Sequence, residues 1–120
     1  MREISARQIT ETVSRLCIDA NCHLPSDMKA CIENACQSES WPQAKEILEQ
    51  IKENYTIADN RDCPICQDTG VACVFLKIGQ EVHICGCLED AINEGVRQGY
   101  REGFFEKICS KRPAGQSKHR

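Results

Sequence analysis

Long apolar segments are missing from this sequence of 120 residues. No run approaches the roughly 20 apolar residues that cross a bilayer, and the first residues, MREISARQITETV, lack the apolar core of a signal peptide. Excess positive charge is missing too: the formal net charge is -3, so the bulk of the chain offers no surface for phosphate. We therefore expect a cytoplasmic protein of one domain at most, with no membrane or nucleic-acid partner.

Cysteine is abundant, with ten residues in the chain. Without an export signal they are expected in a reducing compartment, which leaves metal binding, catalysis or packing as their uses. Cys17, Cys31 and Cys36 fall at or beside apolar positions of helical patterns and are predicted to pack as small hydrophobic side chains. Cys22 lies nearer a helix end, and its role stays open. The cysteines between residues 63 and 87 carry the question of function.

The first half of the chain is predicted to form three helices. A capping box of Ser5 with Gln8 begins the first helix, Ser26 can cap the second, and Ser40, again followed by Gln three residues later, begins the third. Trp41 is interpreted as a packing anchor. The apolar stripe of the third helix is assigned to the core and consists of Ala44, Ile47, Leu48, Ile51 and Tyr55.

The second half adds strand signals and one more helix. Residues 71–78 form a β-branched and aromatic run, and residues 81–85 can return as its hairpin partner. A fourth helix is predicted from Leu88 to about Tyr100, with Gly95 and Gly99 one turn apart, which favours tight helix packing. The predicted fold class is α+β: N-terminal helices followed by a β-hairpin and a further helix.

Two pairs of closely spaced cysteines suggest a zinc site as one alternative. Cys63 and Cys66 have the two-residue gap that lets both sulfurs bind one ion, and Cys85 with Cys87 could complete four ligands. The second pair has only one intervening residue, and a bulky Gln67 follows Cys66 where a zinc knuckle usually has glycine. This alternative predicts a small zinc-binding interaction module. A helical scaffold with incidental cysteines is a third possibility.

The segment after Cys66 favours a different use of that thiol. Gln67, Asp68, Thr69 and Gly70 place an amide, a carboxylate, a hydroxyl and a flexible backbone next to one thiolate. Such a loop suits the binding of a small carboxylic acid beside a metal. The same four residues could also form an ordinary turn, so the residues alone leave this undecided.

The stretch PICQDTG, with its flanks ENYTIADN, VFLKIGQEVHI and LEDAINEGVRQGYREG, resembles the N-terminal part of the iron-sulfur hydro-lyases. These are the class I fumarate hydratases and the alpha subunits of L-tartrate dehydratase. The resemblance covers residues 2–103 and implies that residues 1–103 are the N-terminal part of a larger alpha-type catalytic domain.

The resemblance also implies roles for the residues of the loop. Cys66 would be one of three protein ligands of a [4Fe-4S] cluster whose open iron binds the substrate. Gln67 and Asp68 would contact a dicarboxylic acid, and Thr69 belongs to the same substrate-binding loop. No family role is implied for the other cysteines of this half, which are Cys63, Cys73, Cys85, Cys87 and Cys109.

The implied reaction is the reversible dehydration of a hydroxy-dicarboxylic acid, with the open iron as Lewis acid. The base that removes the C–H proton is expected in a C-terminal domain or a beta subunit, so no catalytic base is assigned in this chain. The complete enzyme is expected to be a dimer. Fumarate with malate and tartrate with oxaloacetate both remain possible substrates.

Residues 104–120 depart from the resemblance and are expected to form a disordered basic tail. Lys and Arg number five after residue 105, against one acidic residue, Glu106. With permitted codons and one base dropped in the Phe104-Phe105 pair, the same nucleotides can read FLRKSVANVLLDKANTG, which restores the family pattern. We therefore interpret the tail as the product of a single-base insertion, and we expect the chain to be inactive alone.

Overall fold

The computed structural model describes residues 1–66 and 71–105, with the backbone alone for the last two. Their elements are β1 (Arg2–Ser5), α1 (Ala6–Cys22), α2 (Ser26–Ser38), α3 (Pro42–Arg61), β2 (Val82–Cys85) and α4 (Leu88–Tyr100), and α4 continues as a π-helical turn (Arg101–Phe105). Three helices precede the second strand and a fourth follows it, which confirms the predicted α+β class. Among the described helices, none combines the length and the apolar character that a membrane span requires.

Helix α1 begins with the predicted capping box. The Ser5 side chain accepts a hydrogen bond from the Gln8 backbone N–H, and the Gln8 side-chain oxygen accepts one from the Ser5 backbone N–H at 2.9 Å. Two of the amide groups that a helix start leaves without partners are thereby satisfied.

The starts of α2 and α3 differ from the prediction. Helix α2 has Pro25 as its N-cap and α3 has Trp41, and neither start has a side-chain capping bond. Pro42 occupies the first turn of α3, where its fixed φ angle suits a helix start without a serine cap. The cap predicted at Ser40 is therefore wrong. Trp41 is 60% exposed, so the prediction that it is a packing anchor is wrong as well.

The predicted hairpin is wrong. In the described part of the chain, strand β2 pairs with the N-terminal strand β1 in parallel, with Ile4 opposite Ile84, and residues 71–79 form no strand. The reason lies in the helices that follow the two strands: β1 runs into α1, β2 leads into α4, and these helices pack along each other. Their contact brings the two strands side by side in the same direction.

Helices α1 and α4 meet at backbone distance. A Cβ atom on Gly95 would lie 2.7 Å from the Thr10 carbonyl oxygen, and one on Gly99 would lie 2.7 Å from the Ser14 carbonyl oxygen. The Thr10 hydroxyl donates to the Ala91 carbonyl at 2.9 Å across the same contact. The prediction of tight packing at the two glycines is confirmed.

The core is small, and helix α3 contributes less to it than predicted. Tyr55 and Ala58 are the buried residues of α3, while Ile47 and Ile51 are 57% and 44% exposed, so their assignment to the core is wrong. Of the cysteines predicted to pack, Cys17 is buried, Cys36 is partly buried and Cys31 is exposed, which contradicts the prediction for Cys31. The buried apolar residues in the described part are Val13, Cys17, Cys22, Tyr55, Ala58 and Ala91.

Candidate functional site

The loop that carries Cys66 starts from a sharp turn at the end of α3. Asp62 adopts the left-handed conformation, with φ at 47°, and the Cys63 N–H donates to the Ala58 carbonyl at 3.2 Å. A residue in this conformation followed by a six-to-one hydrogen bond is the Schellman ending of a helix. Asp tolerates this conformation better than most residues other than glycine. The turn ends α3 and directs the chain toward α1.

Ile65, the residue before Cys66, is held by hydrogen bonds on both of its backbone groups. Its N–H donates to the Asn21 carbonyl oxygen in the last turn of α1 at 2.9 Å. Its carbonyl oxygen accepts a hydrogen bond from the side-chain amide of Asn54 on α3, also at 2.9 Å. Asn21 is itself held, because its side chain donates to the Cys17 carbonyl at 2.8 Å. Two helices therefore fix the backbone that leads into Cys66.

Cys66 is exposed at the end of this held segment. The residues predicted to bind substrate, Gln67, Asp68 and Thr69, lie outside the described residues, as does Gly70. Of the other cysteines in this half, Cys63 is partly buried, and Cys73, Cys85 and Cys87 are exposed.

A group of charged side chains joins three helices beneath the loop. The Asp59 carboxylate on α3 is 2.5 Å from the Lys29 ammonium on α2 and 2.9 Å from His23 Nδ1, which directly follows α1. Nε2 of His23 lies 3.6 Å from the carboxylate of Asp62, the residue at the helix turn. The Lys29 ammonium also lies 5.6 Å from the centre of the Tyr55 ring. We call these residues the Asp59 cluster.

The Asp59 cluster has an electrostatic consequence that the sequence did not reveal. Hydrogen bonds from Lys29 and His23 lower the pKa of Asp59 below its ordinary value, because they favour the ionised carboxylate. His23 and Asp59 are separated by 36 positions in the chain, so no local pattern could indicate their contact. The cluster holds the ends of α1 and α3 together where the loop begins.

An open groove of about 380 Å³ lies between α1 and residues 71–75. Among the described residues, its lining has no carboxylate, imidazole, ammonium or guanidinium group and consists of Val13, Leu16, Cys17, Ala20, Asn21, Val71, Ala72, Cys73, Val74, Phe75 and Tyr100. Phe75 is 94% exposed.

No metal site is complete within the described residues, since no group of three or more His, Cys, Asp or Glu side chains there is arranged so that it could hold a metal ion. The zinc alternative required the pair Cys63 and Cys66 to meet the pair Cys85 and Cys87. All four are described, and the structure does not assemble them. A metal ion bound by Cys66 would need further ligands from outside the described residues.

Comparison with known proteins gives the family. The family model described as "Fumarate hydratase (Fumerase)" matches residues 10–119. Over 97 residues, 79% of the chain, the sequence is 38% identical to "Putative L(+)-tartrate dehydratase subunit alpha" of Methanocaldococcus jannaschii. Over 96 residues, 77% of the chain, it is 29% identical to "Putative fumarate hydratase class I" of Geobacillus stearothermophilus.

These matches define a class of enzyme, the hydro-lyases. Within that class, the chain belongs to the fumarate hydratase family, because the family model matches well over half of its length. The chain spans 34% of the Methanocaldococcus jannaschii protein and 19% of the Geobacillus stearothermophilus protein. The family match runs through residues 104–119 and marks no boundary at Gly103. The domain boundary there and the separate tail therefore stay predictions.

Proposed function

We propose that this chain forms the N-terminal part of the alpha-type catalytic unit of a cytoplasmic iron-sulfur hydro-lyase of the fumarate hydratase or tartrate dehydratase type. The reaction is the reversible dehydration of a hydroxy-dicarboxylic acid. The observation that carries the proposal is the family match over residues 10–119, which includes the PICQDTG loop. The hydrogen bonds at both backbone groups of Ile65 support the proposal, because a residue that binds a metal needs a fixed backbone.

Each residue of the loop has a separate part in the proposal. Cys66 supplies one thiolate ligand to a [4Fe-4S] cluster, and when bound the cluster supplies Lewis-acid chemistry. Gln67 and Thr69 donate hydrogen bonds to the dicarboxylate, and Asp68 accepts one from the substrate's hydroxyl or carboxyl end. Cys63 stays outside the cluster, because the family resemblance gives it no ligand role.

The remaining machinery comes from elsewhere in the enzyme. The name of the Methanocaldococcus jannaschii relative contains the words "subunit alpha", which implies a further subunit for that protein. We expect a beta subunit or a further domain to supply the base and the missing cluster ligands, and we expect the complete enzyme to be a dimer. By this proposal the 120-residue chain alone has no dehydratase activity.

Anaerobic reconstitution with ferrous iron and sulfide tests the proposal. Two proteins are compared: the 120-residue chain, and a fusion enzyme in which residues 1–103 precede the remaining two thirds of the Methanocaldococcus jannaschii protein. The fusion enzyme is assayed with any other subunit that the relative requires. Iron, sulfide and visible absorption are measured, followed by turnover of malate and of tartrate.

Only the fusion enzyme is expected to hold a stable cluster and to dehydrate one of the two hydroxy acids. The preferred acid then identifies the substrate. A stable cluster on the 120-residue chain alone would contradict the view that further ligands are required. One zinc per chain with no iron would instead support the zinc alternative.

A further inference from the structure

The peptide group between Ile65 and Cys66 is held by a side chain from another element. Asn54 lies on α3, and its Nδ2 donates to the Ile65 carbonyl oxygen at 2.9 Å. That carbonyl and the Cys66 N–H belong to one planar peptide unit. The hydrogen bond from Asn54 therefore restrains the plane from which the Cys66 side chain extends.

We propose that Asn54 is a positioning residue that fixes the direction in which Cys66 presents its thiolate to the cluster. This inference rests on the proposed function of Cys66 as a metal ligand. Asn54 touches neither the metal nor the substrate in this account. It acts through the Ile65 carbonyl alone.

A second hydrogen bond, at the Ile65 N–H, restrains the other side of this residue. The Ile65 N–H donates to the Asn21 carbonyl, one of the groups that the end of α1 leaves without a helical partner. If only the Ile65 N–H were bonded, the peptide group between Ile65 and Cys66 could still rotate. Because Asn21 binds the Ile65 N–H and Asn54 binds the Ile65 carbonyl, the peptide groups on both sides of Ile65 are restrained.

The two holds differ in how they can be removed. Asn21 acts through its backbone, so no side-chain substitution deletes its bond to Ile65. Asn54 acts through its side-chain amide, so a substitution removes this bond while the Asn21 hold stays. Asn54 is also exposed, which means that its replacement leaves no cavity in the core.

Such a restraint matters because a metal ligand tolerates little displacement. A functional group must be held within about 0.5 Å of its productive position, and its own supports must be rigid for that. Loss of a group that orients a metal ligand typically costs about 10- to 100-fold in metal affinity. We expect the smaller figure at Asn54, since the Asn21 hold persists.

Four variants separate positioning from general stability. Asn54→Ala removes the amide, and Asn54→Asp keeps its shape but offers no donor to the carbonyl. Asn54→Gln keeps a donor on a side chain longer by one methylene. Asn34→Ala, at an exposed asparagine of α2, is the control for loss of an asparagine from a helix surface.

The first readout needs no metal and uses the 120-residue chain. The hydrogen-exchange rate of the Ile65 amide is measured by NMR. The Ile65 N–H can still bond to Asn21 in Asn54→Ala and Asn54→Asp, but this bond is expected to open more often once the Ile65 carbonyl is released. Both variants should therefore exchange the Ile65 amide several-fold faster than the parent chain. Asn34→Ala is expected to leave the exchange rate of the Ile65 amide unchanged. The rate in Asn54→Gln is expected to lie between that of the parent and that of Asn54→Ala.

The second readout uses the fusion enzyme loaded with its cluster. The half-life of iron loss to excess EDTA is expected to fall about tenfold for Asn54→Ala and Asn54→Asp. Asn54→Gln is expected to recover part of the loss, and Asn34→Ala to match the parent. Faster Ile65 exchange with an unchanged iron half-life, or no change in either readout, would overturn the positioning role.

A further variant separates this inference from the proposed function. If Cys66→Ser removes the iron while Asn54→Ala leaves its half-life unchanged, only the positioning role fails. If Cys66→Ser keeps the iron, the proposed function fails first, and the role of Asn54 toward the cluster fails with it. Circular dichroism of Asn54→Asp, the variant of nearly equal shape, verifies that the helices are retained.

Discussion

Gly95 lies against Val13 so closely that a Cβ atom on the glycine would be 2.7 Å from the valine Cβ. One turn later, a Cβ on Gly99 would be 2.8 Å from the Cβ of Cys17. Helix α4 is thereby pressed onto the middle of α1, about one turn before Asn21. The glycines are far from the loop in sequence, but they orient the helix end that holds it.

Gly95→Ala is expected to destabilise the chain. The added methyl group would meet the Thr10 backbone oxygen at 2.7 Å, and a backbone atom of a packed helix cannot move aside easily. Overpacking of this kind costs about 1–3 kcal/mol, which exceeds the gain of up to about 1 kcal/mol from replacing glycine in a helix. Urea denaturation of both proteins measures the difference.

Gly79→Ala is the control for this substitution, because a Cβ at Gly79 would have no atom of the described residues within 4 Å. Its free energy of unfolding is expected to stay within about 0.5 kcal/mol of the parent. Equal stability of Gly95→Ala and Gly79→Ala would show that the two helices are not in backbone contact.

Ser5→Ala tests the capping box of α1. The substitution removes the side-chain oxygen that accepts the Gln8 N–H, and it is expected to cost about 1 kcal/mol of unfolding free energy. Ser26→Ala is the comparison, because α2 starts at Pro25 without a side-chain capping bond. It should change stability by less than about 0.5 kcal/mol. Equal losses would mean that Ser26 caps α2 as the sequence suggested.

The Asp59 cluster predicts a pH dependence of stability. Hydrogen bonds from Lys29 and His23 hold the pKa of Asp59 below that of the unfolded chain, which lies near 4. The stabilisation is therefore complete above the unfolded-state pKa, and it is lost as the pH falls through the lower folded-state pKa. Asp59→Asn should thus be less stable than the parent at about pH 6, and the difference should shrink in acid.

Urea denaturation between about pH 6 and pH 2 measures this dependence. Asp19→Asn, which removes one negative charge from an exposed position of α1, is the control for net charge. The difference in unfolding free energy between Asp19→Asn and the parent should not shrink in acid to a comparable extent. A stability difference between Asp59→Asn and the parent that is the same at every pH would contradict an ionic role for Asp59.

Local features of the fold were predictable where one short stretch contains all the interacting residues. The capping box needs Ser5 and Gln8 alone, and α4 followed from its own apolar periodicity. The glycine spacing predicted close packing of α4, though not that α1 would be its partner. Strand β1 went unrecognised because four residues, REIS, carry no alternating pattern long enough to indicate a strand.

Features that depend on distant contacts were not predictable. The apolar run at residues 71–78 suggested a hairpin, but its neighbour β2 pairs with a strand eighty positions earlier. The stripe of α3 suggested core, yet Ile47 and Ile51 are exposed because burial depends on which elements surround a helix. In the candidate site, Cys66 was identifiable from its motif, whereas Asn54, Asn21 and the Asp59 cluster emerged only from the folded arrangement.

The iron content of two cysteine variants tests the central claim most directly. In the fusion enzyme, purified and reconstituted without oxygen, we predict that Cys66→Ser loses most of its iron and sulfide together with its dehydratase activity. Cys63→Ser, three positions earlier in the same loop, should retain them. A Cys66→Ser enzyme with a full complement of iron and unchanged turnover would contradict the account.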